Sequence, residues 1–267
     1  MHIEPPDVQL TAEAVSGVLG PSTFVRTIHA FDSIDSTNDY AKTLVGQGKT
    51  ALIISEEQTQ GHGRLGRQWH SEKGKNLTFS LVVKSGISPD RLGVLTLCAA
   101  ESVAGAVESH ARVSIKTKWP NDLLIDGKKV CGILMESVMM GGKLDALIIG
   151  VGLNVNQRKF PSDLTATSLN LSTGKPADRL VLLPEIVNRL AWLNGTISSS
   201  DVATKLEGWK ARCEMFGKLV RVQSGGTTLK GVGKGIAEDG GLLLEVNGTE
   251  QKVHSGDITM PGGRELE

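Results

Sequence analysis

A chain of 267 residues has room for one large domain with a smaller appendage, because single cores seldom grow past about 250 residues. Its hydrophobic content of 39% and charged content of 22% are those of a globular protein, and no run approaches the roughly 20 apolar residues of a membrane span, so no membrane association is expected. Lysine plus arginine and aspartate plus glutamate are equal at 29 each, which excludes a global basic field drawing the chain onto nucleic acid.

The N-terminus, Met1-His2-Ile3-Glu4-Pro5-Pro6-Asp7, has neither a basic start nor an apolar stretch, so a secretory signal is not expected and the chain is assigned to the cytoplasm. Val8 to Leu19 carries a helical pattern with Thr11 as N-cap, stopped by Gly20-Pro21. Thr23 to Phe31 alternates as a strand does. Ser36-Thr37-Asn38 precedes a short amphipathic helix, Asp39 to Val45, with Ser36 in the cap position, and Ala51 to Ser55 reads as a strand buried on both faces. Asn76 to Val83 reads as another strand. From Pro89 to Glu108, Leu92, Leu95, Ala99, Val103 and Val107 recur at helical spacing, predicting a long helix packed on the sheet. Val113 to Lys118 and Leu123 to Ile125 flank a Trp-Pro-Asn-Asp turn, and Asp126-Gly127 and Gly141-Gly142 mark tight turns around strands Val130 to Val138 and Leu144 to Val151. The hairpins imply a mixed or mainly antiparallel sheet. Helices follow at Leu180 to Asn194 and Val202 to Cys213. After Phe216 the character changes to short strands at Lys218 to Gln223, Thr227 to Val232, Leu242 to Val246 and Gln251 to His254, separated by glycine turns, which predicts a small barrel. Cys98, Cys131 and Cys213 are odd in number and far apart, and are expected in the core rather than in a disulfide or a zinc site.

Two motifs point to anion chemistry. In Gly61-His62-Gly63-Arg64-Leu65-Gly66-Arg67 the glycines free the backbone for turns and close approach while Arg64 and Arg67 carry permanent positive charge. A strand follows, so this is neither the phosphate loop of nucleotide hydrolases nor the dinucleotide fingerprint, both of which open a helix. The second is Lys118-Trp119-Pro120-Asn121-Asp122.

With Ser36-Thr37-Asn38, Gln58, Gly127 to Leu134 and Gly150 to Asn156 in the same order, the chain resembles the biotin protein ligases over roughly residues 30 to 260. The resemblance implies an α+β fold: a class II aminoacyl-tRNA synthetase-like mixed sheet with flanking helices, then a small SH3-like β-barrel whose closing strand matches Ser255-Gly256-Asp257-Ile258. The expected division is an N-terminal extension over 1–22, a catalytic domain over 23–213 and the C-terminal domain over 214–267. Some members carry an N-terminal helix-turn-helix, for which about 25 residues are too few, so no DNA binding is expected.

The resemblance also implies a reaction. Biotin's carboxylate attacks the α-phosphorus of ATP, giving biotinyl-5′-AMP and pyrophosphate, and a lysine of a biotin carboxyl carrier domain then takes the biotinyl group. The first step sets one anion against another, so fixed positive charge and positioning should dominate its barrier. Arg64 is the first candidate for that charge and Arg67 the second, on the phosphates of ATP. Lys129 stands at the family's catalytic lysine, with Lys128 on the opposite, solvated side of the strand. Asp122 is the candidate base or orienting carboxylate for the incoming lysine, and a turn aspartate bonded to its own backbone is the bland alternative. The biotin pocket is assigned to Ser36, Thr37, Asn38, Gln58, Gly61, His62, Gly63, Arg64, Lys129 and Gly132, since a ureido ring needs neutral donors and acceptors. Nucleotide contacts are assigned to Arg64, Arg67, Trp69, Lys118, Asn121 and Asn154. Asn121 would also fix its loop, and Trp119 is read as an aromatic wedge beneath the site. Mg²⁺ is implied by ATP rather than by any visible carboxylate cluster, and its ligands stay unassigned.

His62 departs from the family, which usually has arginine there. If the position acts through its backbone nothing is lost; if its charge counts, retention of the adenylate becomes pH dependent, because histidine titrates near neutrality. An edge strand of the sheet could pair with the acceptor or with a second copy, which leaves monomer and homodimer both open. The competing functions are a lipoate protein ligase and a non-catalytic biotin-binding regulator.

Overall fold

The computed structural model describes residues 8–85 and 88–260, so the Met1 to Asp7 segment read for targeting signals lies outside the described residues. It is a mixed α+β structure built on two sheets. Helix α1 (Ala12–Leu19) is capped by the Thr11 side chain accepting from the Ala14 amide, as its sequence predicts. Strand β1 (Thr27–Phe31) is shorter than the alternation suggested, and α2 (Thr37–Leu44) begins at once after its Ser36 cap. Then come β2 (Ala51–Ser55), β3 (Leu77–Val83), the long helix α3 (Leu92–Ala111), β4 (Lys116–Lys118), β5 (Asp122–Ile125), β6 (Lys128–Met140) and β7 (Lys143–Leu153). These seven strands form one sheet in the order β1-β2-β3-β7-β6-β5-β4, with β1 and β2 parallel and the remaining neighbours antiparallel.

Helices α4 (Leu169–Thr173), α5 (Arg179–Leu190) and α6 (Ser199–Ala211) follow. The sequence pattern did not predict α4: five residues are too short to show a helical period, and its Ser168 cap is its one signal. The C-terminal sheet has β8 (Leu219–Ser224), β9 (Thr227–Ile236), β10 (Leu242–Val246), β11 (Thr249–Val253) and β12 (Asp257–Thr259) in the order β11-β10-β9-β8-β12, all antiparallel.

The large sheet is buried differently on its two faces. Leu52 and Ile54 of β2, the odd-numbered residues Leu77 to Val83 of β3, and Leu147, Ile149, Val151 and Leu153 of β7 face the main core under α3, α5 and α6. Ala51, Ile53, Val82, Ala146 and Ile148 alternate onto the other face, where Ala41, Tyr40 and Leu44 of α2 cover them. By length and composition alone α3 could cross a membrane, but most of it is buried and it serves as the core helix of this domain.

The same apolar cluster continues into the C-terminal sheet through Val220, Val222, Leu242 and Leu244. Two glycines let the backbones meet there. A Cβ on Gly93 would lie 2.6 Å from the Asp239 carbonyl oxygen, and one on Gly240 would lie 2.3 Å from the Val94 nitrogen. Trp119, fully buried, donates its indole N–H to the Gly240 carbonyl at 2.9 Å, so the predicted wedge is also the pin between the two sheets. Cys98 and Cys131 are buried and Cys213 partly so, and all three are free thiols. Burial pushes the Cys98 thiol up to about 12 and Cys213 to about 11, which keeps them neutral.

A buried ion pair fastens α1. Arg179, at the start of α5, donates to Glu56 Oε2 at 2.5 Å and to the Val8 carbonyl at 3.1 Å, while Glu56 Oε1 accepts the Leu10 amide at 2.6 Å. Both side chains are about 5% exposed. Removing one partner strands a charge in a dry site. Arg179→Ala is therefore expected to destabilise the protein by about 3–5 kcal/mol in urea unfolding, and a loss below about 1 kcal/mol would show that the pair is not sealed from water.

Candidate active site

The site lies on the α2 face of the large sheet, where the apolar alternation stops. Cross-strand register places Ile53, Ser80, Gly150 and Leu134 in one row and Ser55, Thr78, Gly152 and Gly132 in the next. Three of those eight residues lack a side chain, so the sheet has a trough in place of a packed layer. Two bulky groups from outside the sheet lie in it. The Asn38 amide occupies the space over Gly150, where a Cβ would approach Asn38 Oδ1 to 2.4 Å. The Trp69 indole lies over Gly152, where a Cβ would come within 2.4 Å of the ring, and against Gly132, where it would meet Trp69 at 3.3 Å and Lys129 Nζ at 3.2 Å.

The neutral polar residues predicted for the site are brought together at the start of α2. Gln58 Oε1 accepts both the Thr37 amide at 2.8 Å and the Thr37 hydroxyl at 2.9 Å. Ser80 Oγ, 2.8 Å from Thr37 Oγ1, also donates to Asn38 Oδ1 at 2.5 Å, and Asn38 Nδ2 donates to Glu136 Oε2 at 2.7 Å. Ser36 is buried and accepts the Asp39 amide as the helix cap. Gly61 is buried between the Trp69 carbonyl, 2.8 Å from where its Cβ would be, and the Gln58 amide nitrogen at 2.9 Å. Ser80 and Glu136 were not among the predicted residues. A serine inside Leu-Thr-Phe-Ser-Leu-Val-Val, on a strand buried throughout, was the signal for the first; Glu136, in a long alternating strand, gave none.

The glycine loop makes a 3-10 turn at Arg64–Gly66. Leu65, the loop's one apolar anchor by sequence, does not anchor it: the side chain is 63% exposed and its φ is 56°, a left-handed conformation that a leucine adopts only under constraint. Charged partners hold the loop from outside. His62 Nε2 lies 2.7 Å from Asp39 Oδ2, in a chain continuing through Lys42 to Glu136 at 3.0 Å. Lys42, ahead of His62, holds the Asp39 carboxyl below the usual carboxylate range. Arg67 pairs with Asp257 of the C-terminal sheet. His62 has both a side-chain contact, to Asp39, and a backbone bridge, to Gln68, whereas Gly63 contributes backbone, its amide donating to the Arg67 carbonyl at 2.7 Å.

Lys129 and Asp122 face each other at 2.6 Å, and Lys129 Nζ sits 5.5 Å from the centre of the Trp69 ring. Lys128 is exposed, as strand alternation requires. Asp122, at the head of β5, is not a turn residue closed on its own backbone; its carboxylate faces a cation from the neighbouring strand. Burial lowers Lys118 below the ordinary lysine range despite the opposing pull of Asp122. Arg64 is likewise lowered by burial and supported by Asp257 and Asp122. Arg64, Arg67, Lys118 and Lys129 therefore converge with only Asp122 and Asp257 between them among the described residues, leaving an excess of positive charge suited to a polyanion.

Two residues assigned to the nucleotide also bond the protein's own backbone. Asn121 Nδ2 donates to the Ile133 carbonyl at 2.9 Å and fixes the turn to β6. Asn154 is buried and donates to the Thr167 carbonyl at 3.0 Å, with its Oδ1 left without a partner, as is the Trp69 indole nitrogen.

Comparison with known proteins agrees with this geometry. Residues 30–154 match the biotin/lipoate A/B protein ligase family and residues 215–260 the biotin protein ligase C terminal domain. The bifunctional ligase/repressor BirA of Bacillus subtilis (strain 168) is 33% identical over 86% of this chain and 72% of its own length. Biotin--[acetyl-CoA-carboxylase] ligase of Mycobacterium tuberculosis is 33% identical over 78% of this chain and 77% of its own. Among solved structures, biotin protein ligase from Aquifex aeolicus in complex with biotin and ATP superposes with a TM-score of 0.70 at 28% identity, covering 88% of this chain and 98% of that one.

The trough gives a structural test. Gly152→Ala is expected to displace the Trp69 indole and abolish the part of the near-ultraviolet circular dichroism that a Trp69→Phe comparison assigns to that ring. An unchanged Trp69 contribution would show that the ring does not depend on the missing side chain.

Proposed function

The chain belongs to the biotin protein ligase family, and from that premise we propose that it joins biotin to ATP as biotinyl-5′-AMP, releasing pyrophosphate, and transfers the biotinyl group to a lysine of a carboxylase's biotin carboxyl carrier domain. The observation that carries this reading is the convergence of Lys129, Asp122 and Arg64 beside a trough floored by Gly132 and Gly152. The Trp69 indole and the Asn38 amide seated on that floor would wall a pocket for an uncharged ring, with the carboxylate tail and phosphates toward the cationic end.

In the first step a carboxylate oxygen of biotin forms a bond to the α-phosphorus, the bond from that phosphorus to the bridging oxygen breaks, and pyrophosphate leaves with the electron pair. Arg64, a planar fork that stays charged, is assigned to hold the carboxylate and a non-bridging phosphate oxygen together. Lys129 is assigned to the carbonyl and phosphate oxygens of the mixed anhydride, and Lys118 and Arg67 to the departing phosphates. Thr37, Asn38, Gln58 and Ser80 already form a satisfied hydrogen-bond chain, which supports a role in recognising a neutral polar ring.

In the second step the acceptor amine loses a proton, attacks the acyl carbonyl and displaces AMP. Asp122 is the carboxylate nearest that chemistry, and its contact with Lys129 ties the group that would accept or orient the proton to the group that would steady the anhydride. The residues do not fit a resident divalent cation: no cluster of three or more metal-ligating side chains occurs among the described residues, and Asp122 and Asp257 each face a lysine or arginine. Magnesium is assigned as the counter-ion that ATP brings.

Biotin-dependent exchange of pyrophosphate with ATP tests the reading. Exchange is expected with biotin and not with lipoate, and Arg64→Ala and Lys129→Ala are each expected to lower it by about 10²–10³-fold. Exchange with lipoate alone would assign a lipoate ligase, and none with either acid would assign a binding protein.

A pH dependence follows from Lys118. Because burial lowers its ionisation, it loses its charge, and with it an attraction for phosphate, at a lower pH than the ordinary lysine value of 10.5. The KM for ATP should therefore rise on the alkaline side, and Lys118→Arg, which stays charged, should flatten that rise. A parallel rise in both proteins would remove Lys118 from the phosphate site.

A further inference from the structure

We infer that Asp257, on the first residue of β12, is a positioning residue for the adenylation step: it clasps Arg67 and so holds the glycine loop over the site from the C-terminal sheet. The inference rests on the proposed ligase activity for its meaning, and on three observations for its geometry.

The loop has little of its own to hold it. Gly61, Gly63 and Gly66 have no side chains, Leu65 points to solvent, and the backbone contributes a bridge between His62 and Gln68 and the Gly63 to Arg67 hydrogen bond. With the Trp69 amide on the Gly61 carbonyl and the Arg67 amide on the Arg64 carbonyl, these close the turn on itself, and what ties that turn to the rest of the molecule is its two charged contacts, His62 with Asp39 at one end and Arg67 with Asp257 at the other.

Asp257 also faces more than one cation. Arg64 and Lys118 both feel its charge, and with Asp122 matched to Lys129, Asp257 is the remaining carboxylate that balances Arg64, Arg67 and Lys118 among the described residues. It keeps three like charges together where a polyanion is to bind.

Its own placement is rigid. Ile258 is buried in the core beside it, β12 pairs with β8 from Asp257 opposite Gln223, and Gly256 before it permits a backbone approach in which a Cβ would lie 2.7 Å from the Gln223 carbonyl oxygen. A carboxylate 190 residues away in sequence thus reaches the loop from a firm base. The pair is exposed enough that its effect should be modest, in the range of a surface ion pair.

The test uses the full chain in biotin-dependent exchange together with hydrogen exchange of the loop amides at 61–67. Asp257→Asn is expected to raise the KM for ATP about two- to fivefold with kcat little changed, and to speed exchange of those amides. Asp257→Glu should restore both, and in an Arg67→Gln background Asp257→Asn should add nothing further. Lys234→Gln, which breaks a surface pair with Glu245 elsewhere in the same sheet, should leave both readouts unchanged. An active wild type in which Asp257→Asn alters neither readout, or alters KM equally with and without Arg67, overturns the clasp. A wild type without biotin-dependent exchange overturns the proposed ligase reading instead.

Discussion

The candidate site exists because side chains are missing at Gly132, Gly150 and Gly152. On every other part of the α2 face the strands present Val82, Ala146, Ile148 and Ile53, which pack under α2 as an ordinary second core. Where the two rows turn to glycine, the floor of the sheet drops by the thickness of a side chain, and Asn38 and Trp69 enter from α2 and from the loop. The same absence that makes room for a ligand thus fixes the groups that would line its pocket. Any side chain at 152 competes with an indole for the same volume, which links a backbone feature of β7 directly to the shape of the site.

Electrostatics sets the second constraint. Four cations near one another repel, and burial lowers Arg64 and Lys118 because each loses hydration there. The fold meets this cost with two carboxylates from different places: Asp122 from the same hairpin as Lys129, and Asp257 from the C-terminal sheet. The arrangement stays net positive, so it remains attractive to phosphate while being held together without it. The C-terminal sheet is accordingly tied to the site twice, once by the Trp119 indole on Gly240 and once by Asp257 on the loop.

Much of this was legible in the sequence where chemistry and local pattern coincide. Ser36 as a helix cap, the β2 strand, the long core helix and the glycine turns of the C-terminal strands all follow from residues adjacent in the chain, and Lys129 separates from Lys128 by strand alternation alone. What was not legible depends on register between distant strands. Gly150 and Gly152 stand in the sequence only as part of a motif, whereas their place as a floor appears only once β7 lies beside β6 with Gly152 opposite Gly132. The outward placement of Leu65, the loop's one large apolar residue, comes from a left-handed turn that no local pattern signals. Asn121 read as fixing its loop, as its bond to the Ile133 carbonyl does, while the bond of Asn154 to the Thr167 carbonyl has no local signal.

His62 shows how a substituted position can change character within an unchanged scaffold. Here the imidazole Nε2 lies 2.7 Å from Asp39 Oδ2, so the position keeps a side-chain contact to an acidic partner on α2. Asp39 itself stays ionised, because Lys42 and His62 both stabilise its charged form and Lys42 also bonds Glu136, which in turn bonds Asn38 in the trough. The loop is thereby linked through four contacts, His62 to Asp39, Asp39 to Lys42, Lys42 to Glu136 and Glu136 to Asn38, to an amide that lines the pocket. The other end of the loop is held by Arg67 on Asp257, so the two fastenings reach different parts of the molecule: one the start of α2, the other the C-terminal sheet.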